Sequence, residues 1–128
     1  MAVLRNVTRR TVLAQQCIVA NGFWLLKHGQ SEASISLFEK AAKVFSKEGY
    51  LSESARAHLF LAAAKYEAHK LDESLPHLKQ VAQTFRNPDT RSPIITAGRE
   101  IIPTLKRMNA ETRLYGPVDE LLKAVDQF

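Results

Sequence analysis

The side chains best suited to chemistry are four histidines, His28, His58, His69 and His77, and one cysteine, Cys17. A metal site draws on three or four Cys, His or carboxylate ligands at short, regular spacing. These histidines are scattered, with no cysteine and no paired carboxylates to complete such a set, so each reads as a helix-end or surface residue. Cys17 stands among apolar residues with no neighbouring group in the sequence to lower its pKa, and is expected to be a small core residue rather than a nucleophile. Glu67 with His69, and Asp72 with Glu73, are ordinary in exposed helical turns. No glycine-rich phosphate loop, nucleophile elbow, zinc-protease motif or calcium loop occurs. The sequence therefore predicts no catalytic residues, no metal and no cofactor.

The elements that carry these residues show an internal repeat. Moved forty residues along itself, the chain aligns residues 26–45 (LKHGQSEASISLFEKAAKVF) with residues 66–85 (YEAHKLDESLPHLKQVAQTF). Ser34/Ser74, Ala42/Ala82 and Phe45/Phe85 are identical, and apolar type persists at Leu26/Tyr66, Ile35/Leu75, Phe38/Leu78 and Ala41/Val81. A period in this range marks helical-repeat arrays, in which neighbouring units bury each other's apolar faces.

Charge is distributed unevenly around that repeat. The chain has 128 residues, 18 basic and 13 acidic side chains and a formal charge of +5. Residues 1–31 hold Arg5, Arg9, Arg10 and Lys27 and no acid, which leaves 14 basic against 13 acidic side chains in the remainder. The length is that of one domain with an ordinary core, and a single cysteine excludes an intramolecular disulfide. The opening MAVLRNVTRRTVLAQQ, rich in arginine and hydroxyl residues and free of acids, has the composition of an uncleaved mitochondrial targeting segment. Localisation is expected to be mitochondrial, the alternative being cytoplasmic. The uncharged run at residues 11–26, TVLAQQCIVANGFWLL, is shorter than the roughly 20 apolar residues of a spanning helix and includes Gln15, Gln16 and Asn21. It is expected to form a buried helix.

Hydrophobic periodicity predicts helices throughout and no strand. The first covers about residues 11–28 and ends at Gly29. The second opens at Ser31, with Ile35, Phe38, Ala41, Ala42 and Phe45 as its apolar stripe, and stops at Gly49. The third opens at Ser52 and runs through the alanines at 62–64, and the fourth opens at Asp72. Residues 86–93 (RNPDTRSP) read as a turn-rich connection. Ser92 and Pro93 then read as the start of a fifth helix, divided near residue 100 by Pro103, and Gly116–Pro117 opens the last.

Gly22, Gly29, Ser34, Phe38 and Ala41 in the first unit, with Ala62, Ser74, Leu78 and Val81 in the second, follow the pattern of tetratricopeptide repeats, with His69 in place of the turn glycine. The resemblance covers about residues 14–86 and is to the long-repeat type found in the soluble NSF attachment proteins. It implies an all-α fold of about six helices, antiparallel hairpins stacked as a short right-handed α-solenoid. The organisation expected is a basic segment at 1–13, two repeat-like pairs at 14–86, a linker at 87–92 and capping helices at 93–128.

In such repeats the first helix of each pair lines the concave face. The resemblance thus assigns a partner-binding groove to Gln16, Val19, Phe23, Leu26 and Lys27 from the first unit and Arg56, Leu59, Ala63, Tyr66 and Glu67 from the second. The basic and amide cluster that grips a C-terminal carboxylate in some members is largely missing, so the expected partner is a helix or an extended apolar segment of another protein subunit. The function expected is a non-enzymatic adaptor or structural subunit of a larger, membrane-associated or mitochondrial assembly, binding through the groove and the basic patch of Arg5, Arg9 and Arg10. Two alternatives stand beside it: an RNA-binding accessory protein using that patch for phosphate contact, and an adaptor in vesicle trafficking.

Overall fold

The computed structural model describes the backbone of residues 2–112 and 116–127 and the side chains of residues 11–112, 116 and 118–126. Among the described residues the chain is all helical: α1 (Ala2–Lys27), α2 (Ser31–Glu48), α3 (Leu51–Glu67), α4 (Leu71–Phe85), α5 (Pro88–Arg99), α6 (Ile102–Glu111) and α7 (Gly116–Gln127). Neighbours in sequence pack on one another from α1 to α4, and α3 also receives α5 and α6, while α7 closes against α4, α5 and α6. A helix with four neighbours buries apolar residues around most of its circumference. Accordingly α3 buries Ala55, Ala57, Leu59, Phe60, Leu61, Ala62, Ala63 and Ala64, and its alanines let the flanking helices come close.

After α1, after α2 and after α3 the chain reverses through the same pair of backbone bonds, and the turns after α1 and α3 lie forty residues apart. Gln30 N–H donates to the Leu25 carbonyl at 2.8 Å and Gly29 N–H to Leu26 at 3.2 Å; Lys70 N–H donates to Lys65 at 2.8 Å and His69 N–H to Tyr66 at 2.9 Å. This arrangement satisfies carbonyls that a helix end leaves unpaired and requires one residue in the left-handed region. Gly29 takes that conformation at φ 77° and His69, forty residues on, at φ 63°. Ser34 and Ser74, both fully buried, each donate a hydroxyl hydrogen bond of 2.7 Å to the carbonyl three residues earlier. Phe38/Leu78 and Ala41/Val81 occupy the same buried places in α2 and α4.

The small residue at the α1–α2 crossing is Gly22. A Cβ there would lie 2.8 Å from the ring of fully buried Phe38, so the backbone of α1 rests on that ring. Phe60 of α3 meets Phe38 at a centroid distance of 5.7 Å and Phe23 of α1 at 5.3 Å, joining three helices through two contacts of one ring.

Several boundaries differ from the sequence expectations. α1 begins at Ala2 rather than near residue 11. Gln30, Tyr50 and Lys70 hold the cap positions of α2, α3 and α4 without side-chain cap bonds, so Ser31 and Asp72 fall inside the first turn and Ser52 follows Leu51. The expected linker at 87–92 is largely helix. Asn87 caps α5 by accepting from Asp89 N–H at 3.0 Å, and Pro88 supplies a first residue that needs no hydrogen-bond acceptor. Pro93 therefore lies inside α5, and the division before Pro103 yields a separate α6.

Two substitutions test these positions. Gly22→Val should destabilise by about 1–3 kcal/mol through overpacking, and Phe38→Leu in the same chain should recover part of that loss, a non-additivity read by thermal melts. His69→Gly should stabilise by about 1 kcal/mol because it removes the cost of a side chain in the left-handed region. A lower melting temperature for His69→Gly would show that the histidine side chain, not its backbone, matters.

Candidate binding surfaces

The ten residues assigned to a single groove are divided by the fold. Val19, Leu59 and Ala63 are between 4% and 0% exposed and belong to the core, because α1 and α3 each meet more than one neighbour. Leu26 is half-buried and Gln16 is exposed on α1. Phe23 and Arg56 do share a small cavity of about 200 Å³, with Phe60 of α3, Thr96 and Ala97 of α5, and Glu100. Arg56 lies over the Phe60 ring, and Lys27 lies over Phe23 while donating to the Glu100 carbonyl at 2.8 Å.

Tyr66 and Glu67 do not line that cavity. Their faces are taken by α6: the Tyr66 hydroxyl donates to Glu111 Oε2 at 2.6 Å, Arg107 pairs with Glu67, and Thr104 donates to Glu67 Oε1 at 3.0 Å. The bond to Glu111, with partial burial, raises the Tyr66 pKa. Tyr66 and Glu67 instead line a separate cavity of about 190 Å³ with His69, Leu71, Arg107 and Glu111. Arg5, Arg9 and Arg10 sit on the α1 backbone, and their side chains lie outside the described residues.

α1 departs most from expectation. The uncharged run was expected to be buried, with Cys17 in the core, yet one side of it is open. Gln15, Val19 and Gly22 face inward, whereas Leu13 is 60% exposed, Trp24 54% exposed, and Cys17 and Ala20 are exposed as well. At 100° per residue, Leu13, Cys17, Ala20 and Trp24 fall within about 60° of arc, opposite the core-facing side. Trp24 is held in place by His28, whose ring stacks on the indole at 3.9 Å and whose Nδ1 is 2.8 Å from the Trp24 carbonyl oxygen. No helix among the described residues is long and apolar enough to cross a membrane.

A polar cluster that the sequence pattern did not reveal lies between α3 and α4. His58 and His77, read as surface residues, are half-buried with their Nδ1 atoms 3.1 Å apart, and Lys65 Nζ is 3.1 Å from His77 Nε2. An ammonium can only donate, so His77 accepts at Nε2, carries its proton on Nδ1 and donates to His58, whose proton then sits on Nε2. Glu39 of α2 and Glu73 of α4 approach Lys65 at 3.6 and 4.0 Å. Burial first, then the Lys65 charge and the neighbouring His58, push the His77 pKa down to about 4; burial and Lys65 lower that of His58. Both rings are thus held neutral and form a structural tie between α3 and α4. The signal available in sequence was the nineteen-residue separation, about one helix-and-turn return, with both residues on the facing sides.

No protein-family profile, curated protein or solved structure matches this chain.

Lowered histidine pKa values carry a definite sign. Between about 6.5 and about 4 the unfolded chain binds protons that the folded chain refuses, so stability falls as pH drops through that window and is fully present above it. Thermal melts from pH 7.5 to 4 should show this acid-side loss, and His77→Gln should flatten it. An unchanged slope in His77→Gln would remove the pair as its source.

Proposed function

We propose that the chain is a non-enzymatic helical-repeat docking protein, an adaptor or structural subunit made of two stacked helix pairs and a capping group in the manner of tetratricopeptide arrays. The observation that carries this reading is the second apolar side of α1. A helix apolar on two opposite faces is normally enclosed on both, and here only one face is covered by the chain itself.

The occupant we assign to the open face is an amphipathic helix of another protein, with acidic residues beside the N-terminal half of α1. Trp24 and Leu13 are its anchors, since a fixed aromatic loses little side-chain freedom on binding. The acidic character follows from charge: residues 1–31 contain four cations and no carboxylate. Two copies of α1 would bring two such segments together, which disfavours a self-pair and favours an acidic partner.

Cys17, the single cysteine and a member of the stripe, offers the test. A photo-crosslinker placed there should capture an acidic amphipathic helix of one partner in the native assembly. Leu13→Asp with Trp24→Asp should abolish that crosslink and release the chain from the assembly. Because both residues are exposed, helicity and melting temperature should stay near wild type, within about 0.5 kcal/mol. A crosslink to a second copy, or one unaffected by the double substitution, would refute this occupant.

A further inference from the structure

A second opening lies at the other end of the helix order, where α5 passes between the end of α4 and α7. It is a cavity of about 570 Å³. Phe85 at the end of α4, Ala124 of α7, and Arg91, Ser92, Ile95 and Arg99 of α5 are among the residues that line it. Among the described residues that line it, none is acidic.

We infer that this groove binds an acidic amphipathic helix from a partner protein, with an apolar side chain over Ile95 and carboxylates reaching Arg91 and Arg99. The inference rests on the docking reading above but concerns a different surface. Arg91, Ile95 and Arg99 recur every four residues, so the two cations bracket the apolar position across about 12 Å of helix. A helix carrying an acid-x-x-x-apolar-x-x-x-acid face has the same repeat and presents its carboxylates where the guanidiniums stand. Ser92 and Ala124 are small enough for such a helix to come near.

The two arginines are unequal in a useful way. Arg91 is already fixed: its Nε donates to the Phe85 carbonyl at 3.0 Å, its Nη2 to the Arg86 carbonyl at 3.4 Å, and its guanidinium lies over the Phe85 ring. It is pre-positioned, with Nη1 left for a ligand. Arg99 is exposed and makes no ion pair or side-chain hydrogen bond among the described residues. Its charge is therefore available for a bidentate carboxylate contact.

The test uses the full chain and a helix-stapled, alanine-based peptide bearing Glu-x-x-x-Leu-x-x-x-Glu on one face, followed by fluorescence anisotropy. Wild-type protein should bind it saturably. Arg99→Glu should weaken binding about tenfold without loss of fold, and a peptide with Lys in place of the facing glutamate should recover affinity for that variant. Ala124→Trp, which fills the groove, should abolish binding, whereas Leu13→Asp with Trp24→Asp should leave it unchanged, so that this inference and the α1 reading fail separately. No saturable binding by wild type, equal affinity for Arg99→Glu, or a dimer of the chain that disappears in Arg99→Glu would each overturn the assignment.

Discussion

The contact of Phe38 with Gly22 and Phe60 is the constraint on which the rest of the fold depends. Without a side chain at residue 22, the α1 backbone settles against the Phe38 ring, and Phe60 locks that ring from the side of α3. Interiors are close-packed, so such a ring cannot shift without moving its neighbours. Once the crossing is set, the rotation of α1 about its own axis is set too. Val19 and Gly22 turn inward, Phe23 tilts toward Phe60, and Leu13, Cys17, Ala20 and Trp24 are left outside. The open stripe is thus a consequence of core geometry and not a loosely placed surface.

The same architecture is used twice with different outcomes. The turns after α1, α2 and α3 share their hydrogen bonds, and α2 and α4 share their buried serine and several apolar positions. What differs is the company each unit keeps. α3 has α2, α4, α5 and α6 around it and is consumed by the core, while α1 packs on α2 and, more lightly, on α3. The repeat therefore generates one enclosed helix and one half-enclosed helix from similar hairpins. Tyr66 and Glu67 mark where the second unit's surface is taken up by α6, through contacts that have no counterpart on the first.

Local signals made the helices legible in sequence. The stripe of α2 follows the helical period, and Gly29 and Gly49 stop their helices by adopting positive φ. Ambiguity arose where two local signals competed: Asn87–Pro88 and Ser92–Pro93 are both good helix starts. The first prevails because Thr90 and Arg91, one turn in, donate to the terminal carbonyls of α4, with Thr90 Oγ1 2.6 Å from the Thr84 oxygen. Contacts at long sequence separation were not legible. Tyr66 with Glu111, and His58 with His77, depend on how whole helices dock, and a helical wheel for one helix does not report its second neighbour. Cys17 shows the limit plainly: an apolar sequence context was read as burial, although α1 has two apolar sides and only one of them is covered.

Charge and packing together restrict how the two open surfaces can be used. α1 carries an acid-free, basic segment, and the α5 groove carries two arginines, so neither complements the other and head-to-tail stacking of this chain through them is opposed by like charge. The stripe residues Leu13, Cys17, Ala20 and Trp24 do not line the α5 groove, while on its other side α1 meets the end of α5 through Phe23 and Lys27. On the docking reading proposed above, two separate surfaces of the same preference would suit the chain to bridging two acidic helices. If both belong to one partner, binding of the first raises the effective concentration of the second, and the joint affinity exceeds either alone by an amount set by the segment that links them. The aromatic crossing at Gly22 fixes α1, and the carbonyl contacts of Arg91 fix the α4–α5 corner; each site is therefore held by the interior on which it rests.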